Sequence, residues 1–164
     1  MRNRYAIIAA TAVLVVLFDQ ITKAWVLLAV PQYTEIPVIK GLFSLVHVRN
    51  KGAAFGFLNR GDISWQFWLF LAATLVAAVV VVVLAKSSRP GEYGFFLSLG
   101  LILGGAAGNL IDRVRFREVI DFLDFYYGNY HWPAFNVADI AICCGAFLAL
   151  VFSWRRPPDS AQNR

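Results

Sequence analysis

Charge is scarce in this sequence. Only 15% of its 164 residues are Asp, Glu, Lys or Arg, against about 25% in an ordinary soluble domain. A soluble fold of this length could not hide the 59% that is hydrophobic, so lipid is the natural solvent for the chain. Cysteine is nearly absent. Cys143 and Cys144 are neighbours inside an apolar run. A disulfide between adjacent residues is strained, and the pair matches no metal spacing, so both read as small packing residues. The histidines, His47 and His131, fall between the apolar runs and read as surface residues. This leaves no His/Cys cluster for zinc, and no Ser–His pair stands out. Internal repeats and low-complexity tracts are missing too. The net charge of +5 does not require nucleic acid, because the basic residues lie between apolar runs, where they suit loops flanking a membrane.

Four apolar spans are present, at about Tyr5–Val30, Ile63–Ala85, Tyr93–Ile111 and Val137–Trp154. At 1.5 Å per residue each can cross roughly 30 Å of hydrocarbon, the fourth with help from its flanks. Arg2 and Arg4 ahead of the first span resemble a signal peptide, but the span is too long and Asp19 and Lys23 interrupt it. We read it as an uncleaved helix. Lys and Arg are equally numerous on the two sides, so loop length decides orientation. The side bearing Arg2, Arg4, Lys86, Arg89, Arg155 and Arg156 has only short segments, and is placed in the cytoplasm with both termini. The other side has two long loops, about 31–62 and 112–136. Within the first, residues 36–49 alternate imperfectly and suggest one or two short strands. The second carries Phe125, Tyr126, Tyr127, Tyr130 and Trp132, an aromatic density that favours the lipid–water interface. The expected fold is an all-α integral membrane protein of four transmembrane helices with a small extracytoplasmic β element and an interfacial aromatic loop. Residues 1–156 form one domain, and 157–164 a disordered cytoplasmic tail.

Ionisable groups inside a membrane are costly and usually face a partner or a cavity. Asp19 and Lys23 share a face of the first helix. Asn109, Asp112 and Arg113 close the third span, Asp121 follows, and Asn136 and Asp139 open the fourth. Asp19 lies about eleven residues, or roughly 16 Å, from the end of its helix, and the others are shallower. Four segments thus bring polar groups to the outer half of the bilayer. Plainer readings exist for many of them. Asp19–Lys23 suits a structural ion pair, and Asn136 with Asp139 suits a helix cap. Gly100, Gly104 and Gly108, with Gly105, suit close helix packing. Arg113, Arg115 and Arg117 can be solvated or can meet lipid phosphates. Asp121 and Asp139 are not exhausted by capping and pairing. Two carboxylates brought close share one proton. One then activates water while the other polarises an amide.

Five stretches make a family resemblance specific: Asp19-Gln20-Ile21-Thr22-Lys23, Asn50-Lys51-Gly52-Ala53-Ala54-Phe55-Gly56, Gly104 to Arg113, Val119-Ile120-Asp121-Phe122, and Phe135-Asn136-Val137-Ala138-Asp139. In this order they resemble lipoprotein signal peptidase, or signal peptidase II. The resemblance implies an intramembrane aspartic endopeptidase of the bacterial inner membrane. It implies a catalytic pair of Asp121 and Asp139, with Asp19, Lys23, Asn50, Gly105, Asn109, Asp112, Arg113 and Asn136 shaping or supporting the site. Cleavage would fall just before the diacylglyceryl-modified cysteine of a prolipoprotein. No cofactor or metal is implied; the partners are prolipoproteins, membrane lipids and the cyclic peptide inhibitor globomycin. Asp124-Phe125 repeats the Asp-Phe pairing, so Asp124 stands as an alternative to Asp121. Two other classes compete with a peptidase. A small membrane transporter would line a pathway open to both sides, and a non-catalytic scaffold would explain the glycines but not the paired acids.

Overall fold

In the computed structural model the described residues are 2–52 and 65–154. Ala53 to Gly56 of the second motif, the start of the second apolar span and the expected tail at 157–164 lie outside them. Elements follow in the order α1 (Arg2–Ala29), β1 (Glu35–Ile39), β2 (Phe43–Asn50), α2 (Gln66–Ser87), α3 (Tyr93–Phe116), β3 (Val119–Tyr127), β4 (Tyr130–His131) and α4 (Val137–Trp154). All four helices are long and apolar enough to cross a membrane. Their many exposed Leu, Val, Phe and Trp side chains are what a lipid solvent permits and water does not.

Helix α3 is the hub, packing against α1, α4 and α2. Its glycines make this possible. A Cβ added at Gly104 would stand 2.7 Å from the Val15 Cβ and 2.8 Å from the Ala12 carbonyl oxygen, so only hydrogen lets the α1 and α3 backbones approach. At the end carrying the chain's N-terminus, Ile8, Val81, Ala85, Phe95, Phe96 and Leu99 form one buried cluster. Arg4 closes it by donating to the carbonyls of Ala85 at 2.6 Å and Ser88 at 3.0 Å, which satisfies acceptors left over where α2 ends.

At the opposite end the four strands form an antiparallel sheet in chain order. Val26 of α1 and Val30, just past its end, pack under Ile120 and Phe122 of β3. The sheet corrects two expectations. The aromatic segment after residue 118 is not a loop over most of its length. Val119–Tyr127 is a strand paired with β2 from Phe43↔Phe125 to Asn50↔Val119, and the exposed aromatics Tyr127 and Tyr130 flank the turn at Gly128. Asp121 and Asp124 interrupt the apolar alternation, which is why the strand is hard to see in sequence. His47 is buried rather than on the surface, its Nδ1 2.9 Å from the Val30 carbonyl oxygen. Between Leu45 and Val48 the β2 register slips against β3. That bulge reverses the alternation, so Val46 and His47 both turn inward. Helix α3 also runs beyond Ile111, ending where Arg117 turns left-handed (φ 63°) and its N–H returns to the Arg113 carbonyl. Cys143 and Cys144 are exposed on α4 rather than packed inside.

Candidate active site

The site begins in a buried ion cluster. Asp19, Lys23 and Asp112 are 0%, 2% and 1% exposed. Being four residues apart, Asp19 and Lys23 meet on one face of α1, and α3 presents Asp112 and Asn109 to the same face. Lys23 Nζ lies 2.9 Å from Asp19 Oδ2, 2.8 Å from Asp112 Oδ2 and 3.0 Å from Asn109 Oδ1. Its three N–H donors therefore have three acceptors, the condition under which a buried ammonium is tolerable. Gly108 makes the room: a Cβ there would be 2.6 Å from Asp19 Oδ2. Gly105 does the same for α4, where a Cβ would run into the Ala138 carbonyl.

Gln20 belongs to this cluster, and the sequence reading missed it. Its amide donates to Asp112 Oδ1 at 2.9 Å, to Asp19 Oδ2 at 3.2 Å and to the Gly108 carbonyl at 3.3 Å. The signal was its place inside the Asp19–Lys23 motif. Asp112 and the Gly108 carbonyl lie on α3, out of reach of any spacing argument along α1, which hid the connection.

Asparagines carry the network on to the two aspartates. Asn109 accepts from Lys23 and Asn136 on Oδ1 and donates to Asp139 Oδ1 at 2.8 Å. Asn136 donates to Asp121 Oδ1 at 2.8 Å and reaches Asn109 Oδ1 at 3.1 Å. The path Asp121–Asn136–Asn109–Asp139 thus joins one acid on β3 to one on α4. Asn136 is also the N-cap of α4. It accepts the Asp139 N–H at 3.0 Å, and its own N–H donates to Asp139 Oδ2 at 3.2 Å, a reciprocal capping box. The cap reading therefore holds, and the same two residues also bond to Asp121 and Asn109. Asn50, at the end of β2, donates to Asp121 Oδ2 at 3.1 Å.

Asp121 is 3% exposed. Burial pushes its carboxyl up to about 7, and the charge of Asp139 pushes the same way; the amides of Asn50 and Asn136 and the charge of Lys23 pull it back. Near neutral pH it holds a proton about half the time, while Asp139 supplies negative charge beside it. Such a pair can activate a water and polarise a carbonyl without metal or covalent intermediate.

Arg113 rims the site from α3. Its guanidinium lies 3.9 Å from the Phe70 ring centroid and donates to the carbonyls of Gly52 at 3.1 Å and Asn109 at 3.3 Å. It also sits in the field of Asp139, Asp121 and Asp112. Asp112, one residue earlier, points instead into the buried cluster. Asp124 is separated from these groups. Three residues beyond Asp121 on a strand, it lies on the other face, and it pairs with His131 Nδ1 at 2.8 Å. All ten residues singled out from sequence fall in one connected site around Asp121 and Asp139.

Comparison with known proteins agrees over nearly the whole chain. A family model described as signal peptidase (SPase) II matches residues 11–155. The lipoprotein signal peptidase of Nitratidesulfovibrio vulgaris (strain DP4) is 54% identical over 161 residues, 98% of this chain and 97% of that one. That of Oleidesulfovibrio alaskensis is 56% identical over 147 residues, 90% of this chain and 94% of the relative. A bacterial membrane enzyme solved by the in meso method at 2.3 Å resolution superposes with a TM-score of 0.78 at 29% identity, covering 94% of this chain and 90% of the other.

Proposed function

Because the chain belongs to the signal peptidase II family, we propose that it is an aspartic endopeptidase acting within the membrane on prolipoproteins, with Asp121 and Asp139 as the catalytic pair. The observation that carries this reading is the joining of these two carboxylates through Asn136 and Asn109, with one of them held near its half-protonated point. Asp139 takes a proton from water as the oxygen attacks the scissile carbonyl. Asp121 gives its proton to the carbonyl oxygen, forming a tetrahedral gem-diol. Collapse returns a gem-diol proton to Asp121 and passes the Asp139 proton to the departing nitrogen. The products are a carboxylic acid on the signal peptide, which then ionises, and a free α-amine on the lipid-modified cysteine, and the pair is restored.

The family and the four apolar helices support a place in the bacterial inner membrane. Both termini would be cytoplasmic and the pair would lie toward the outer side. The exposed aromatics at Tyr127, Tyr130 and Trp132 suit the interface there. Membrane lipids are then neighbours of the substrate's diacylglyceryl group, and a cyclic peptide such as globomycin would occupy the pair. The test is cleavage of a diacylglyceryl-cysteine peptide by purified enzyme. Asp121→Asn and Asp139→Asn should each abolish it while the protein stays folded. Retention of activity by either variant overturns the assignment.

A further inference from the structure

Two backbone contacts occupy matching positions beside the catalytic pair. Asp19 Oδ1 accepts the N–H of Ala138 at 3.0 Å, and Ala138 immediately precedes Asp139. Asp112 Oδ2 accepts the N–H of Ile120 at 3.3 Å, and Ile120 immediately precedes Asp121. Helices α1 and α3 thus each contribute one fully buried carboxylate to the peptide leading into one catalytic aspartate. These two carboxylates are themselves fastened together, by Lys23 Nζ and by the Gln20 amide, each of which contacts both.

An ion pair between α1 and α3 needs only one acid. A second buried carboxylate beside a single ammonium leaves excess negative charge in a dry place, which is expensive. The backbone contacts give each acid a separate task. We infer that Lys23 and Gln20 form a clamp that sets the separation of the two catalytic aspartates, acting through Asp19 on the start of α4 and through Asp112 on β3. They are positioning residues, and none is asked to touch substrate. The Ile120 peptide is gripped at both ends, since its carbonyl also accepts from Asn136 at 3.3 Å. Coulomb coupling between two carboxylates falls with distance, so their separation determines how tightly they share one proton.

This inference rests on the reading of Asp121 and Asp139 as the catalytic pair. Gln20 carries the test, because Lys23→Met would strand two buried carboxylates and endanger folding. Gln20 is only partly buried, and Gln20→Met conserves volume while removing both ties. Its expected result is a kcat lower by about tenfold with KM unchanged, since small misplacements of reacting groups are costly. The alkaline limb of its pH–rate profile should move to lower pH, as the aspartates drift apart and hold the proton less tightly. Lys23→Arg, which keeps the charge but replaces a compact ammonium with a planar fork, should lower kcat at least as much as Gln20→Met. A folded Gln20→Met with wild-type kcat and pH profile overturns the clamp. So does a lowered Tm with an unmoved limb, the mark of a merely structural contact. If Asp121→Asn cleaves normally, the catalytic pair is wrong; if it is inactive while Gln20→Met behaves as wild type, only the clamp fails.

Discussion

Asn50→Ala removes the hydrogen bond to Asp121 of the proposed catalytic pair and predicts the direction of a titration. Asn50 Nδ2 donates to Asp121 Oδ2 at 3.1 Å. The bond favours the ionised carboxylate, and it opposes the burial and the Asp139 charge that hold Asp121 at about 7. A net hydrogen bond to a charged group contributes roughly 1.5–3 kcal/mol. At 3.1 Å and partial exposure the lower end applies, which corresponds to about one pKa unit. Removing the donor stabilises the protonated form, so the last proton of the pair leaves at higher pH. The alkaline limb of kcat/KM against pH should rise by about one unit, from near 7 toward 8. Because the two aspartates titrate together, the limb belongs to the pair and not to Asp121 alone. The substitution also frees the Gly52 N–H, which Asn50 Oδ1 accepts at 2.8 Å, and Gly52 holds Arg113 through its carbonyl. A several-fold fall in the height of the profile is therefore expected, and the position of the limb is the measurement that decides. The assay is cleavage of a lipidated peptide across pH 5 to 9 in detergent or bicelles. A limb that stays in place, or moves to lower pH, refutes the role given to this hydrogen bond.

Asp124→Asn should keep most of the cleavage activity, because Asp124 faces away from the site and pairs with His131; an inactive but folded variant would show the wrong aspartate has been chosen. Arg113→Lys should lower kcat/KM by about tenfold, since a lysine cannot keep both the stack on Phe70 and the fork to two carbonyls; wild-type kinetics would remove Arg113 from the site. Gly104→Val should cost at least about 1–3 kcal/mol through overpacking against Val15 and the Ala12 backbone, read as a Tm lower by several degrees; an unchanged Tm would mean α1 and α3 approach less closely than described.

Much of the membrane architecture was legible in the sequence, because apolar spans and lipid thickness are linked by simple geometry. The polar residues were legible for the same reason: an ionisable group within a span stands out when hydrocarbon is its alternative. Asp19 with Lys23, and Asn136 with Asp139, could be paired from helical spacing alone. Longer-range partners could not. That Lys23 divides itself between Asp19 and Asp112 depends on how closely α1 and α3 approach, which the glycines permit but do not dictate in register. Gln20 is hard to see in sequence because two of its three partners, Asp112 and the Gly108 carbonyl, lie on another helix. In sequence alone β3 reads as loop, and His47 as exposed, because a strand is defined by its neighbour and a bulge by the strand opposite. The sequence by itself determined which residues had to leave lipid. Only the tertiary structure decided which backbone amide each carboxylate would hold, because hydrogen bonds are made between elements, at distances of about 3 Å that no spacing along the chain can specify.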